Sequence, residues 1–176
     1  MLSTERLVVR PVAEADRARF TALFADVDFM QFSASGPLGP AAAQLRSDHM
    51  LVRGAEVPFG NQAVIESSTG STIGYAGVDV FEYQGVERFE FGYRLVPGAR
   101  GRGYATEAGR ALLGLARTTF RGELLAFIDP ENRASRRVLD KLGFGFIEDV
   151  RIRGYPVELY GISLADAAQV TGEMAG

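Results

Sequence analysis

The chain predicts a mixed α/β fold built on one central, mostly antiparallel sheet with helices on both faces. Three observations carry this. Phe89, Phe91, Tyr93 and Leu95 alternate with Arg88, Glu90, Gly92 and Arg94, the period-2 pattern of a strand. Pro97 stops its pairing, and Gly98, Gly101 and Gly103 turn the chain into a helical pattern of Ala105, Ala108, Leu112, Leu115 and Ala116. Three strands in succession precede that turn, and a short continuous apolar strand follows the helix, which requires a parallel step among antiparallel pairs.

The elements follow in order. Alternation of Leu7 and Val9 with polar neighbours gives a first strand over 5–11, and Phe20, Leu23 and Phe24 give a helix over 13–24. Residues 26–40 combine Phe29, Met30, Phe32 and Leu38 with Gly36, Pro37 and Gly39, which reads as a lid over a ligand or a loop tucked onto the core. Pro40 suits the first position of a second helix over 41–53. Strands over 62–66 and 72–81 are joined by the turn Ser67-Ser68-Thr69-Gly70-Ser71, and a second turn at 83–86 leads to the strand bearing Glu90. A third helix over 104–120, a buried strand over 124–128, a fourth helix from Asn132 to Leu142 with Gly143 after it, and strands over 144–153 and 158–164 around Gly154-Tyr155-Pro156 complete the chain. The order is βααβββαβαβ, in a single domain over 1–176, with a short frayed tail from Ala165.

Composition excludes several chemistries. The 176 residues are 47% hydrophobic and 23% charged, in the globular range, and no apolar run approaches the roughly 20 residues of a membrane span. The N-terminus lacks a signal pattern, so a cytoplasmic location is expected. Without cysteine there is neither a thiolate nucleophile nor a zinc-thiolate site. His49 is the only histidine, which leaves no histidine triad and no multi-histidine metal site, and no metal is expected. The net charge of −3 argues against nucleic acid as partner. Locally, arginines gather at 94, 100 and 102 and at 133, 136 and 137, while Glu56, Asp79, Glu82, Glu87 and Glu90 lie in the part before. That asymmetry suits an anionic cofactor at one end and a cationic acceptor at the other, or else solvated faces.

A glycine-rich turn feeding a helix aims backbone amides at the positive end of the helix dipole, a site for phosphate or pyrophosphate. Arg94, Arg100 and Arg102 add positive charge around it. Neither a Gly-Lys-Ser/Thr loop nor an early Gly-x-Gly-x-x-Gly is present.

Arg100-x-x-Gly103-x-Ala105 after a strand resembles the acetyl-CoA signature of the GNAT acetyltransferases. The segment Asp129-Pro130-Glu131-Asn132-Arg133-Ala134-Ser135, followed by Leu142-Gly143-Phe144, resembles the one that closes that fold. Pro-Glu-Asn-x-x-Ser together with Gly103-Tyr104-Ala105-Thr106-Glu107-Ala108 is most similar to the ribosomal-protein N-terminal acetyltransferase branch.

The resemblance implies acetyl transfer from acetyl-CoA to a primary amine by direct attack on the thioester. The acceptor would be a protein N-terminus or a small amine, and the assembly leaves room for a homodimer. Arg100, Gly101, Arg102, Gly103, Tyr104 and Ala105 would take the pyrophosphate. Leu95 and Val96 would pair with the pantetheine amides, with the Val96 amide facing the thioester oxygen. Asn132 and Ser135 would reach the cofactor's far arm, Asn132 also being suited to cap the helix. Glu90 is the expected general base through a water, or else an ion-pair partner of Arg88 or Arg94. Leu139 occupies the position of the tyrosine acid of many members, leaving Ser135 to act on the leaving sulfur. The loop at 29–38 and the turn at 153–157 would frame the acceptor pocket. A non-catalytic acyl-CoA sensor would use the same loop.

Overall fold

Residues 1–56 and 59–164 are described in a computed structural model; the expected tail from Ala165 lies outside them. Strands β1 (Leu2–Ser3), β2 (Leu7–Pro11), β3 (Gln62–Glu66), β4 (Ser71–Tyr83), β5 (Val86–Leu95), β6 (Glu123–Ile128), β7 (Gly145–Ile152) and β8 (Tyr155–Ser163) form a sheet in the order β1-β2-β3-β4-β5-β6-β8-β7. Every neighbouring pair is antiparallel except β5 and β6.

Helices cover both faces, as the alternation within β3 requires. Ala63 and Ile65 pack with Phe20, Phe24 and Met50 of α1 (Arg17–Ala25) and α2 (Pro40–Glu56). Val64, pointing the other way, joins Leu112 and Ala108 of α3 (Tyr104–Thr119). Leu139 and Leu142 of α4 (Arg133–Leu142) extend that second face across Phe91, Leu124 and Tyr160.

Several boundaries depart from the sequence reading. β1 is only two residues long, Leu2 opposite Val9, too short to leave a periodic signal. The first helix begins with a 3-10 turn, Glu14–Asp16, whose Asp16 carboxylate takes the Ala13 amide and the Arg10 guanidinium. The β7–β8 turn is Arg153-Gly154, both with positive φ, and the strand resumes at Tyr155. Pro156 is accepted inside β8 because β6 reaches only as far as Glu158, so the missing amide falls on an unpaired edge.

Candidate active site

The parallel contact between β5 and β6 is confined to Phe89 opposite Leu124 and Glu90 opposite Leu125. Beyond Glu90 the strands diverge, β5 staying with β4 and β6 with β8. A cavity of about 400 Å³ occupies the divergence, between the Arg100–Ala105 turn and the start of α4, and is reached from both faces of the sheet.

Backbone direction at the end of β5 corrects one expectation. The Val96 amide donates to the Ile73 carbonyl at 2.9 Å, so it belongs to the β4 ladder and does not face the cleft. Alternation turns the next amide, that of Leu95, the other way. The Leu95 carbonyl agrees, since it accepts from Arg100 Nε at 3.0 Å on the side away from β4.

The turn itself has the conformation its glycines allow. Gly101 and Gly103 take φ of 73° and 83°, and α3 starts at Tyr104. Its first-turn amides have no intrahelical partner and open beside the cleft. The arginine side chains are engaged elsewhere. Arg100 donates to the Asp28 carbonyl at 2.5 Å and to Gln31 Oε1 at 3.2 Å, tying down the 26–40 loop. Arg102 pairs with Glu66 at 3.0 Å and lies over the Tyr104 ring, which Arg6 also covers, each at 4.7 Å. Tyr104 is buried, its hydroxyl donating to Glu66 at 2.6 Å. Tyr104 leaves only its backbone to meet a phosphate, while Arg102 stays half-exposed beside its Glu66 partner.

On the face of α1 and α2 lie the even-numbered residues of β5. Glu90 stands directly opposite Asp79 of β4 and has no ion-pair partner among the described residues, neither Arg88 nor Arg94. Burial, and then the charge of Asp79, push its carboxyl up to about 7, against the opposing influence of Arg46 and Arg94. Asp79 is held by Asn61 Nδ2 at 3.1 Å and Arg46 at 3.5 Å. Arg94 sits on this face too, under Phe29 and Met30, and not with the phosphate turn where the sequence grouped it. Phe29 and Met30 are buried, the Phe29 amide bonding Asp26 Oδ1 at 2.6 Å, while Phe32 stays half-open at the cavity wall. The 26–40 loop thus serves both readings, core and wall.

On the opposite face, Tyr93 reaches α4. Its hydroxyl donates to Ser135 Oγ at 3.0 Å, and burial raises its ionisation above the usual phenol value. Ser135 is fixed from behind, since Asn132 Oδ1 accepts its amide at 3.0 Å as the cap of α4. Leu139 is buried core. Sequence reasoning treated Tyr93 as an apolar strand position; the available signal was that its face is the one α4 covers.

The turn at 153–157 does not line this cavity. Arg153 lies in a separate groove of about 770 Å³ between the tips of the β4–β5 and β7–β8 hairpins. His49 is exposed on α2.

Residues 6–145 match the family model described as acetyltransferase (GNAT) domain. The chain is 30% identical over 164 residues to the uncharacterized protein YkkB of Bacillus subtilis (strain 168), covering 90% of this chain and 93% of that protein. Among solved structures it is similar to a putative GNAT-family acetyltransferase from Bordetella pertussis, with TM-score 0.77, 26% identity, and 92% and 98% of the two chains covered. It also shares its fold with YncA, a putative acetyltransferase from Salmonella typhimurium with its cofactor acetyl-CoA, at TM-score 0.70, 19% identity and coverage of 92% and 96%.

Proposed function

Because this chain belongs to the GNAT acetyltransferase family, an acyltransferase family using acetyl-CoA as cosubstrate, we propose that it acetylates a primary amine by direct attack on the thioester, with Glu90 as base. The observation that carries this reading is the Glu90 carboxyl, raised to about 7 in the cleft between β5 and β6. A carboxylate titrating there can accept a proton from an ammonium, directly or through one water, near neutral pH.

The residues fit the cosubstrate. The unpaired edge of β5 at Leu95 suits the pantetheine amides, and the Leu95 amide, in place of Val96, suits the thioester oxygen as charge develops on it. The amides from Gly101 to Ala105 suit the pyrophosphate at the α3 N-terminus. Asn132 and Ser135, at the start of α4, border the far arm of the cleft.

In the reaction a nitrogen–carbon bond forms and the carbon–sulfur bond breaks. The amine proton goes to Glu90, and the departing sulfur takes a proton from Tyr93 Oη, which Ser135 orients. Tyr93 remains protonated across the working range because burial raises its ionisation. Supplying that proton from a strand compensates for Leu139 on the helix.

The test is thiol release from acetyl-CoA with a panel of primary amines. Acceptor-dependent release, with an N-acetyl product by mass spectrometry, is expected. Tight CoA binding without acceptor-dependent release would instead favour the sensor.

A further inference from the structure

Arg94 is a cation without an acid. It is half-buried in the cleft wall, yet its guanidinium meets only the Phe29 carbonyl at 3.4 Å, Met30 Sδ at 3.2 Å and the Phe29 ring at 6.0 Å. A long bond to a carbonyl and a contact with a thioether leave most of its five donors and its charge unanswered. No carboxylate pairs with it among the described residues. Of the arginines nearby, Arg46 pairs with Asp79, Arg102 with Glu66 and Arg136 with Glu158, while Arg100, also without an acid, spends its donors on the Leu95 and Asp28 carbonyls and on Gln31.

The position of Arg94 gives this unmatched charge a direction. It follows Glu90 by four residues on the same strand face, about 13 Å along β5. Between them Gly92 carries no side chain, and a Cβ built there would meet nothing within 4 Å. The strand therefore presents an open slot with backbone as its floor, an acid at one end and a free guanidinium at the other. Phe29, Phe32 and Tyr75 line the same cavity with apolar surface. Arg94 is near enough to oppose, weakly, the upward displacement of the Glu90 carboxyl.

We propose that the acceptor is zwitterionic, a small amino acid whose primary amine is delivered to the Glu90 end while its carboxylate is held by Arg94. A guanidinium pairs with a carboxylate through two parallel hydrogen bonds, and partial burial strengthens them. A polyamine or an unsubstituted alkylamine would leave Arg94 unmatched and add like charge near it, so those acceptors are disfavoured. This deepens the reading of the chain as an amine acetyltransferase and rests on it.

The experiment measures kcat/KM by thiol release for ω-amino acids with one to five methylenes between amine and carboxylate, each against its carboxamide. At the spacing that fits, the acid is expected to exceed the amide about tenfold or more, the scale of one charge-assisted hydrogen-bonded pair. In Arg94→Gln that ratio falls toward one, and in Arg94→Lys part of it returns. Thermal melting and acetyl-CoA binding check that the variants are folded; should the Gln variant unfold, the wild-type ratio and the Lys variant decide. Acetylation of amines with an acid-to-amide ratio of one or less at every spacing overturns the zwitterionic acceptor alone. No acceptor-dependent release from any amine overturns the amine acetyltransferase reading beneath it.

Discussion

Glu90 and Asp79 face each other directly across β5 and β4, two acids on one side of the sheet. Like charges opposed on adjacent strands are unfavourable, and only one of this pair is compensated. Asp79 has Asn61 and Arg46, while Glu90 has its own proton as the remedy. The pair thus leaves a carboxyl that titrates near neutral pH at the divergence of the strands.

Glu90→Gln keeps the shape and removes the base. At pH 7 kcat is expected to fall roughly 10²-fold or more with acetyl-CoA affinity nearly unchanged, and higher pH should recover part of the loss as free amine becomes available. Asp79→Asn removes a charge that raises the Glu90 carboxyl, so the acid limb of its kcat/KM profile should move to lower pH. A limb that stays in place in Asp79→Asn, or a Gln variant within about threefold of wild type, would take Glu90 out of the chemistry.

The same group has a cost in stability, and its sign is set by the upward displacement. The folded protein holds the Glu90 proton up to about 7 while the unfolded chain releases it near the ordinary carboxylate value, so stability falls as pH rises through that window. Glu90→Gln should therefore melt higher than wild type at pH 8 and converge with it near pH 4. The displacement bounds the gain at about 3 kcal/mol, less solvent screening at a partly exposed group. Melting curves across pH read this directly; a variant less stable at pH 8 contradicts the assigned displacement.

Tyr93→Phe deletes the hydroxyl that Ser135 receives and leaves the ring packed. The expected outcome is a drop in kcat on the order of 10² with little change in the KM for acetyl-CoA. Ser135→Ala, which frees Tyr93 without removing it, should lose less. Equal losses in both would mean that the serine acts on the sulfur itself.

Two substitutions separate backbone from side chain at the glycine turn. Gly103→Glu imposes a side chain at positive φ, with its Cβ 3.4 Å from Arg6, and adds a carboxylate beside the helix amides; CoA binding should be lost while the circular dichroism stays native-like. Arg100→Ala instead frees Asp28, Gln31 and the Leu95 carbonyl. It should raise the acceptor KM more than it weakens CoA, and leave the salt dependence of CoA binding almost intact. A lower salt slope in Arg100→Ala would return that guanidinium to the phosphate.

The fold was readable because its signals are local. Alternation in β5, the Pro97 stop, the glycine turn and the Asn132 cap each act within a few residues and survive in the structure. What the sequence hid depends on which way a group points. Arg94 and Arg100 were grouped by sequence with the phosphate turn, but both reach back to the 26–40 loop, Arg94 to Phe29 and Met30 and Arg100 to Asp28 and Gln31. The Val96 amide looked available until its partner Ile73, more than twenty residues away, was in view. Tyr93 read as core from its neighbours, and only the approach of α4 supplies Ser135 to its hydroxyl.

The sheet is joined at its middle by only two residue pairs, between β1 to β5 on one side and β6 to β8 on the other. Whatever lies along the open β5 edge serves as the missing ninth strand. Bound cosubstrate should therefore slow hydrogen exchange at the Leu95 and Phe127 amides, which no neighbouring strand protects, and raise the unfolding temperature with the logarithm of its concentration. If that protection is found, the occupant of the gap between β5 and β6 is a structural part of the working protein.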